Sequence, residues 1–410
     1  MNQVNKRNGY FMIIVLWFAY VTFAMNWVAG SSLTPQITMT FFGGPVDPVI
    51  SQVVNYSITT ARVFANILAA VILMRIGPRK AASLAIGLLM MSLVAIYLPN
   101  YWAYTAARMA MGLGGSMVIV YMNPVVSRYI TNGKEKLRIN SMNTVSYNVG
   151  AFIVSILFTF FAHQLTQDWQ LTLTVFAALT AVTFIAWLLL AENFETQSSN
   201  EGIVVNYSYK EAFKDPFIWK YALAFSGFLT LYILSLVSLK PVFEQYTQLS
   251  GSLINLLVSG AGIIGTFVGA KMGNKGTPRK PILLTSGAIM IASFGLTIAL
   301  GNTSPVASYS FAFISGFAMF IQYPIFMNLP HELGGMSPQK LTVIFGLFWA
   351  IAYASQTIIT ITWSAILGSA GYVPAMIFFL AASSLYVLFT SFLPETKQKG
   401  QQLKESSKVA

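Results

Sequence analysis

A chain of 410 residues with 56% hydrophobic and only 9% charged residues has too little polar surface for a soluble domain, which carries roughly a quarter charged residues. A formal charge of +12 would suggest phosphate binding in a soluble protein; beside apolar spans it reads as the basic flanks that fix membrane orientation, and no nucleic-acid partner is expected. Cysteine is absent, which excludes disulfides, thiol chemistry and Cys-based metal sites, and no cofactor or metal is expected.

Apolar stretches follow one another with short polar breaks, and each is long enough for the roughly 20 residues that cross a bilayer. The first begins at Tyr10 and runs on too far for a cleavable leader. Spans are predicted at about 10–32, 49–74, 81–99, 102–127, 140–162 and 171–191, then at 217–240, 253–273, 281–301, 306–329, 341–367 and 373–393. The fold class expected is an all-α membrane protein of about twelve helices in two six-helix halves. Residues 1–191 would form one half and 217–394 the other, with 192–216 a cytoplasmic linker and 395–410 a cytoplasmic tail. The linker holds Glu192, Glu195, Glu201, Glu211 and Asp215, and Tyr207–Lys214 within it reads equally as a surface-lying amphipathic helix or a solvated loop.

With the N-terminus inside, about 21 of the 24 basic residues fall on the cytoplasmic side. They include Arg75, Arg79, Lys80, Arg128, Lys134, Lys136, Arg138, Lys210, Lys271, Lys275, Arg279, Lys340, Lys399, Lys404 and Lys408, as the positive-inside rule requires. The halves also echo each other. Arg75-Ile76-Gly77-Pro78-Arg79-Lys80 precedes the third span, and Lys271-Met272-Gly273 with Pro278-Arg279-Lys280 precedes the ninth. Leu190-Ala191-Glu192 ends the sixth span as Leu393-Pro394-Glu395 ends the twelfth. Such duplication places a binding site near the midplane, between the halves.

These residues resemble the major facilitator superfamily over essentially the whole chain. That family's pattern between the second and third spans is G-x-x-x-D-R-x-G-R-[RK]; here Arg75 and Gly77 match and a basic tail follows at Arg79 and Lys80, after Pro78, while Ala70 and Met74 stand for the glycine and the aspartate. The fourth-span pattern R-x-x-x-G-x-G-G appears as Arg108 through Gly112, Gly114 and Gly115, and Phe392-Leu393-Pro394-Glu395-Thr396-Lys397 is similar to the family's exit from the last helix. The resemblance implies alternating access, with Arg75, Gly77, Arg79, Lys271 and Gly273 as gating-loop residues. Without an aspartate at Met74, gating is expected to depart from the family's usual charge network, and Arg75 needs a helix C-terminus, a lipid phosphate or another acid. The first span is similar to those of cyanate and nitrate carriers, and Lys210–Trp219 to a segment of organic-anion carriers.

Three basic residues lie outside the inner loops: Arg62, Arg108 and Lys240. An arginine at a helix centre costs about 2.5–3.5 kcal/mol on insertion scales, so it normally faces a cavity or a partner. All 12 acidic residues are predicted in loops, tails or the outer end of the seventh span. Arg62 therefore reads as a substrate contact, Arg108 as either a contact or a packing residue, and Lys240 as either snorkelling to the outer interface or pairing with Glu244. Asn26, Tyr56, Asn148, Tyr323 and Gln356 are the polar residues chosen to complete a binding site, from a wider set that includes Trp27, Asn55, Gln322 and Tyr353. Buried amides are also often satisfied by neighbouring helices. Gly265, Gly269 and Gly273, four residues apart, and Gly112 and Gly115 read as close helix contacts.

A core without acids disfavours carboxylate-based proton coupling and leaves uniport or anion exchange. The expected partners are a small, anionic solute and membrane lipids, with the chain a monomer in the cytoplasmic membrane. Export of neutral or amphiphilic compounds is the alternative, and a transport-dead sensor a further one. No acid, base and nucleophile assemble from the spans, so no enzyme is expected.

Overall fold

The computed structural model describes residues 6–130, 133–192, 207–273, 277–336 and 338–397. Lys275, Lys399, Lys404, Lys408, Glu195 and Glu201 lie outside the described residues, as do the side chains of Lys134, Lys136 and Arg138. Every regular element among the described residues is a helix. Ten helices are long and apolar enough to cross a membrane. One of them, Val53–Ile96, turns back at Gly77 and supplies two spans, and Val145–Phe160 is the apolar part of a shorter fifth. The count is twelve, as expected from composition.

The turn at Gly77 is written in the sequence. Its backbone sits at φ 77°, ψ 166°, a region that a β-carbon disfavours and glycine enters freely. Pro78 follows, and its fixed φ starts the third span without needing a backbone N–H.

The spans in order are Lys6–Ser32, 53–76, 78–96, Tyr101–Tyr129, Gly133–Phe160 and Trp169–Leu190, then Pro216–Val237, Gly251–Gly273, Arg279–Ala299, Pro305–Glu332, Pro338–Ala370 and Tyr372–Ser391. Lys6, Gly77 and Thr396 mark one face, called the near face below; Phe42, Asn100, Thr247 and Gly371 mark the far face. The second span packs on the fourth, the first on the fourth, fifth and sixth, and the eighth on the tenth. Between the first six and last six spans, the fifth lies against the eighth and the second against the eleventh.

Small residues let backbones touch where helices cross. A β-carbon at Gly265 or Gly269 would strike the Phe317 or Ile321 carbonyl of the tenth span, and one at Gly112 would press on Ile58. Gly273 differs, since a β-carbon there meets only Ile325 at an ordinary 3.5 Å. The tenth-span helix runs three residues past its predicted end to Glu332, which forms a buried ion pair missed in the sequence: Glu332 accepts from Arg279 Nη2 at 2.7 Å, from Asn328 and from Thr396. Tyr209–Lys214 is helical, closed by a Ser208–Glu211 capping box, and the Tyr209 hydroxyl packs against Gly346 of the eleventh span.

Candidate functional site

Arg62 is 5% exposed, near the middle of the second span. The first span wraps it because Tyr20, Phe23 and Trp27 recur at three and four residues and so share one helix face. The Arg62 Nη2 donates to the Tyr20 hydroxyl at 3.0 Å. Its guanidinium carbon lies 5.5 Å from the Phe23 ring, 5.6 Å from Trp27 and 4.5 Å from Tyr353 of the eleventh span. Rings present negative faces to a cation, but none neutralises it. Among the described residues Arg62 has no carboxylate partner, and its Nε is buried without a hydrogen bond.

The rings continue into a closed belt. Tyr353 stacks on Trp349 at 5.6 Å, and Trp349 meets Phe225 at 5.1 Å. Phe225 leads to Tyr323 at 5.9 Å, then to Phe320 and Tyr232. Tyr232 meets Tyr147 at 5.7 Å, and Tyr147 returns to Trp27 at 5.9 Å. Six spans from both parts of the chain contribute rings or the arginine to this belt, and Arg62 is its one charge. Tyr147 Oη and Asn148 Nδ2 are buried and unpartnered beside it, while Tyr232 donates to Asn148 Oδ1 at 2.7 Å.

Of the residues chosen from sequence, Arg62, Tyr323 and Asn148 come together here. Tyr56 lies farther along the second span, close to Ser364. Gln356 is buried one turn beyond Tyr353, with its amide donating to Thr360 on its own helix at 2.7 Å. Arg108 and Asn26 face elsewhere. The Arg108 Nη2 donates to the Asn26 carbonyl at 2.7 Å, packed on Gly30, where a β-carbon would strike the guanidinium. The Asn26 amide donates to Thr22, Phe176 and Thr180, tying the first span to the sixth. Lys240 pairs with Glu244 at 3.0 Å, one of the two alternatives read from the sequence.

Tyr20, Tyr147, Tyr232 and Trp349 were not selected in the sequence. The recurrence Tyr20, Phe23, Trp27 and the i, i+4 pair Trp349, Tyr353 were the available signals. Aromatic stripes at that spacing also mark ordinary packing, so the pattern carries weight only once Arg62 is placed among them.

Beyond Arg62 the far-face ends of the two six-span sets are pinned by polar bonds. The helix of the seventh span breaks at Ser238, because Pro241 has no N–H to give the Val237 carbonyl four residues back. Asn55 of the second span donates to that carbonyl at 3.2 Å, and Asn255 takes the Leu236 carbonyl at 2.9 Å. Asn55 also accepts from Trp27 Nε1 at 2.8 Å and from Ser31, and donates to Gln52. Ser238 donates to Gln52, and Thr357 to Thr59 at 2.7 Å.

At the near face, Arg75 is exposed and Met74 is 77% exposed. Arg79, rather than Arg75, takes a helix end: its Nη2 donates to the Leu188 carbonyl of the sixth span at 3.1 Å. Trp187 Nε1 answers by donating to Arg79 O and Ser83. Lys271 is exposed and Gly273 half-buried, while Glu395 accepts from the backbone N–H of Arg279 and Lys280 at the start of the ninth span.

Known proteins share this architecture. The chain is 25% identical over 403 positions to an uncharacterized protein of Mesomycoplasma hyopneumoniae strain J, covering 88% of this chain and 83% of that one. It is 23% identical over 338 positions to the major facilitator superfamily transporter MG061 of Mycoplasma genitalium, covering 72% of this chain and 59% of that protein. In fold it is similar to a D-xylose-proton symporter, with TM-score 0.74 and 14% identity over 95% of this chain and 99% of that one. An inward open xylose transporter XylE from E. coli gives TM-score 0.72 at 13% identity, covering 98% and 99%. The Major Facilitator Superfamily model matches residues 16–360, so the chain belongs to that family of multi-pass membrane carriers, which move small solutes by alternating access.

Proposed function

We propose that the solute is a small anion, organic or inorganic, bound at Arg62. The observation that carries this reading is a buried guanidinium, set between the two sets of spans, with no carboxylate partner among the described residues. Burying an unpaired charge is costly, and a charge-assisted bond to an anion relieves that cost. Arg62, Tyr147, Asn148 and Tyr323 form the binding surface in this reading. Tyr56 and Gln356 line its far-face approach, and Arg108 with Asn26 holds the first span in place.

Residues 1–191 and 217–394 act as the two rocking units, joined by 192–216, in a monomer of the cytoplasmic membrane. The near face is cytoplasmic, since the described basic residues at span ends gather there. The Asn55–Val237 and Gln52–Ser238 bonds then close the outer gate, and Arg79 with the Leu188 carbonyl stiffens the inner loop. Coupling is by uniport or by exchange of one anion for another.

Protein reconstituted in liposomes is expected to exchange at least one labelled anion, and Arg62→Gln to abolish the exchange while keeping the wild-type melting temperature. Undiminished flux in that variant would sink the anion site. A second reading, a neutral sugar, is favoured by the xylose transporters that share the fold and by the rings, which suit a sugar's apolar faces. Saturable uptake of xylose that ignores Arg62→Gln would establish it instead.

A further inference from the structure

We infer that the solute is a monocarboxylate with a flat apolar body, rather than an inorganic oxyanion or a dicarboxylate. The inference rests on the anion reading above and narrows it. Three features of the belt carry it: the number of charges, the unpartnered Nε of the guanidinium, and the walls.

The belt holds one cation. Arg108, the other buried arginine without a carboxylate partner among the described residues, is 1% exposed and engaged with the Asn26 carbonyl on the side of the first span facing the fourth. A single guanidinium compensates one negative charge. A second charge on the solute would stay buried without a partner, in a place where uncompensated charge is expensive.

The guanidinium is also restricted in how it can be approached. Rings of Phe23, Trp27 and Tyr353 lie within 4.5–5.6 Å of its central carbon, and Nη2 is committed to Tyr20. Its Nε is buried and unpartnered. A carboxylate oxygen accepts a charge-assisted N–H bond from that Nε. Two further donors of the belt, Tyr147 Oη and Asn148 Nδ2, are likewise buried and unpartnered.

The rest of the wall is aromatic carbon. Tyr232, Phe320, Tyr323, Phe225 and Trp349 continue the belt with ring spacings of 4.9–5.9 Å. An oxyanion such as phosphate or sulfate presents oxygens on every side, and rings cannot replace the water it would shed. A carboxylate with a flat apolar body presents oxygens at one end only, and its other end gains from ring contact.

The test is a binding titration on the detergent-purified full chain, read by tryptophan fluorescence because Trp27 and Trp349 are in the belt. Phenylacetate is the probe; acetate, terephthalate, phosphate, sulfate and xylose are the competitors. Phenylacetate is expected to bind at least 10-fold more tightly than acetate or terephthalate, with phosphate and sulfate weaker still. Arg62→Gln should remove phenylacetate binding. Trp349→Leu should narrow the phenylacetate-to-acetate ratio at least 5-fold while acetate affinity holds, a change in selectivity that a general loss of folding would not produce.

Tighter binding of phosphate, sulfate or terephthalate, lost in Arg62→Gln, overturns this inference and leaves the anion reading standing. Displacement by xylose alone, unchanged in Arg62→Gln, overturns both. Binding of no member of the panel by a folded protein also counts against the monocarboxylate.

Discussion

The Asn55→Ala substitution tests the proposed far-face gate. Asn55 makes bonds of two kinds. Those to Trp27, Ser31 and Gln52 stay within the first two spans and their connection, so they persist in every state of the cycle and cancel. The bond to the Val237 carbonyl crosses to the seventh span, and in the proposed cycle it exists only while the far face is closed. Interhelical hydrogen bonds in membranes contribute about 0.6 kcal/mol on average and at most about 1.7. Here the loss also orphans Val237, whose helical donor is removed by Pro241, and an unsatisfied buried carbonyl costs at least about 1 kcal/mol. In the open state water solvates that carbonyl, so the penalty falls on the closed state alone. About 2 kcal/mol shifts the equilibrium roughly 30-fold toward the far-face-open form, at about 1.4 kcal/mol per factor of ten.

The chain has no cysteine, so a Ser364→Cys reporter labels against a silent background. Ser364 is buried on the eleventh span, on the far side of Tyr353. A membrane-impermeant maleimide added from the far face should label the Asn55→Ala protein at least 10-fold faster than the parent. Equal or slower labelling, with melting unchanged, would refute the gate.

Two further substitutions test the packing. Gly269→Ala drives a β-carbon into the Ile321 carbonyl and should cost about 1–3 kcal/mol, whereas Gly273→Ala has room and should leave the melting temperature in detergent unchanged or raised; equal effects at both sites would contradict the packing read here. Glu332→Ala leaves Arg279 buried and unpaired and should cost about 3–5 kcal/mol, part of which returns when Arg279→Met is added; a double-mutant melting cycle with no coupling would show that the pair contributes nothing.

Much of this protein follows from local chemistry. Span length and polarity decide where the chain crosses the membrane, because an unpaired backbone cannot sit in hydrocarbon. Gly77 followed by Pro78 dictates a turn, and the Lys240–Glu244 pair is one helical turn apart. Pro241 breaks the seventh span for a reason visible in four residues of sequence. The need of Arg62 for company is equally local, since a charge in mid-span is costly wherever the helix packs.

What answers that need depends on packing between distant residues. Rings from positions 20 and 353 reach Arg62 only once the first, second and eleventh spans assemble, and nothing in the sequence around Arg62 names them. The same holds for the two intramembrane arginines, which are chemically identical. Arg108 meets a helix carbonyl and Arg62 meets an aromatic belt, because helix rotation decides which neighbour each one faces. The Arg279–Glu332 pair escaped the sequence for a related reason: the two residues are far apart in the chain, and Glu332 was expected in a loop. Fold class is encoded in periodicity and polarity, which are properties of a short window. The site is a property of contacts between windows, and only the assembled bundle sets them.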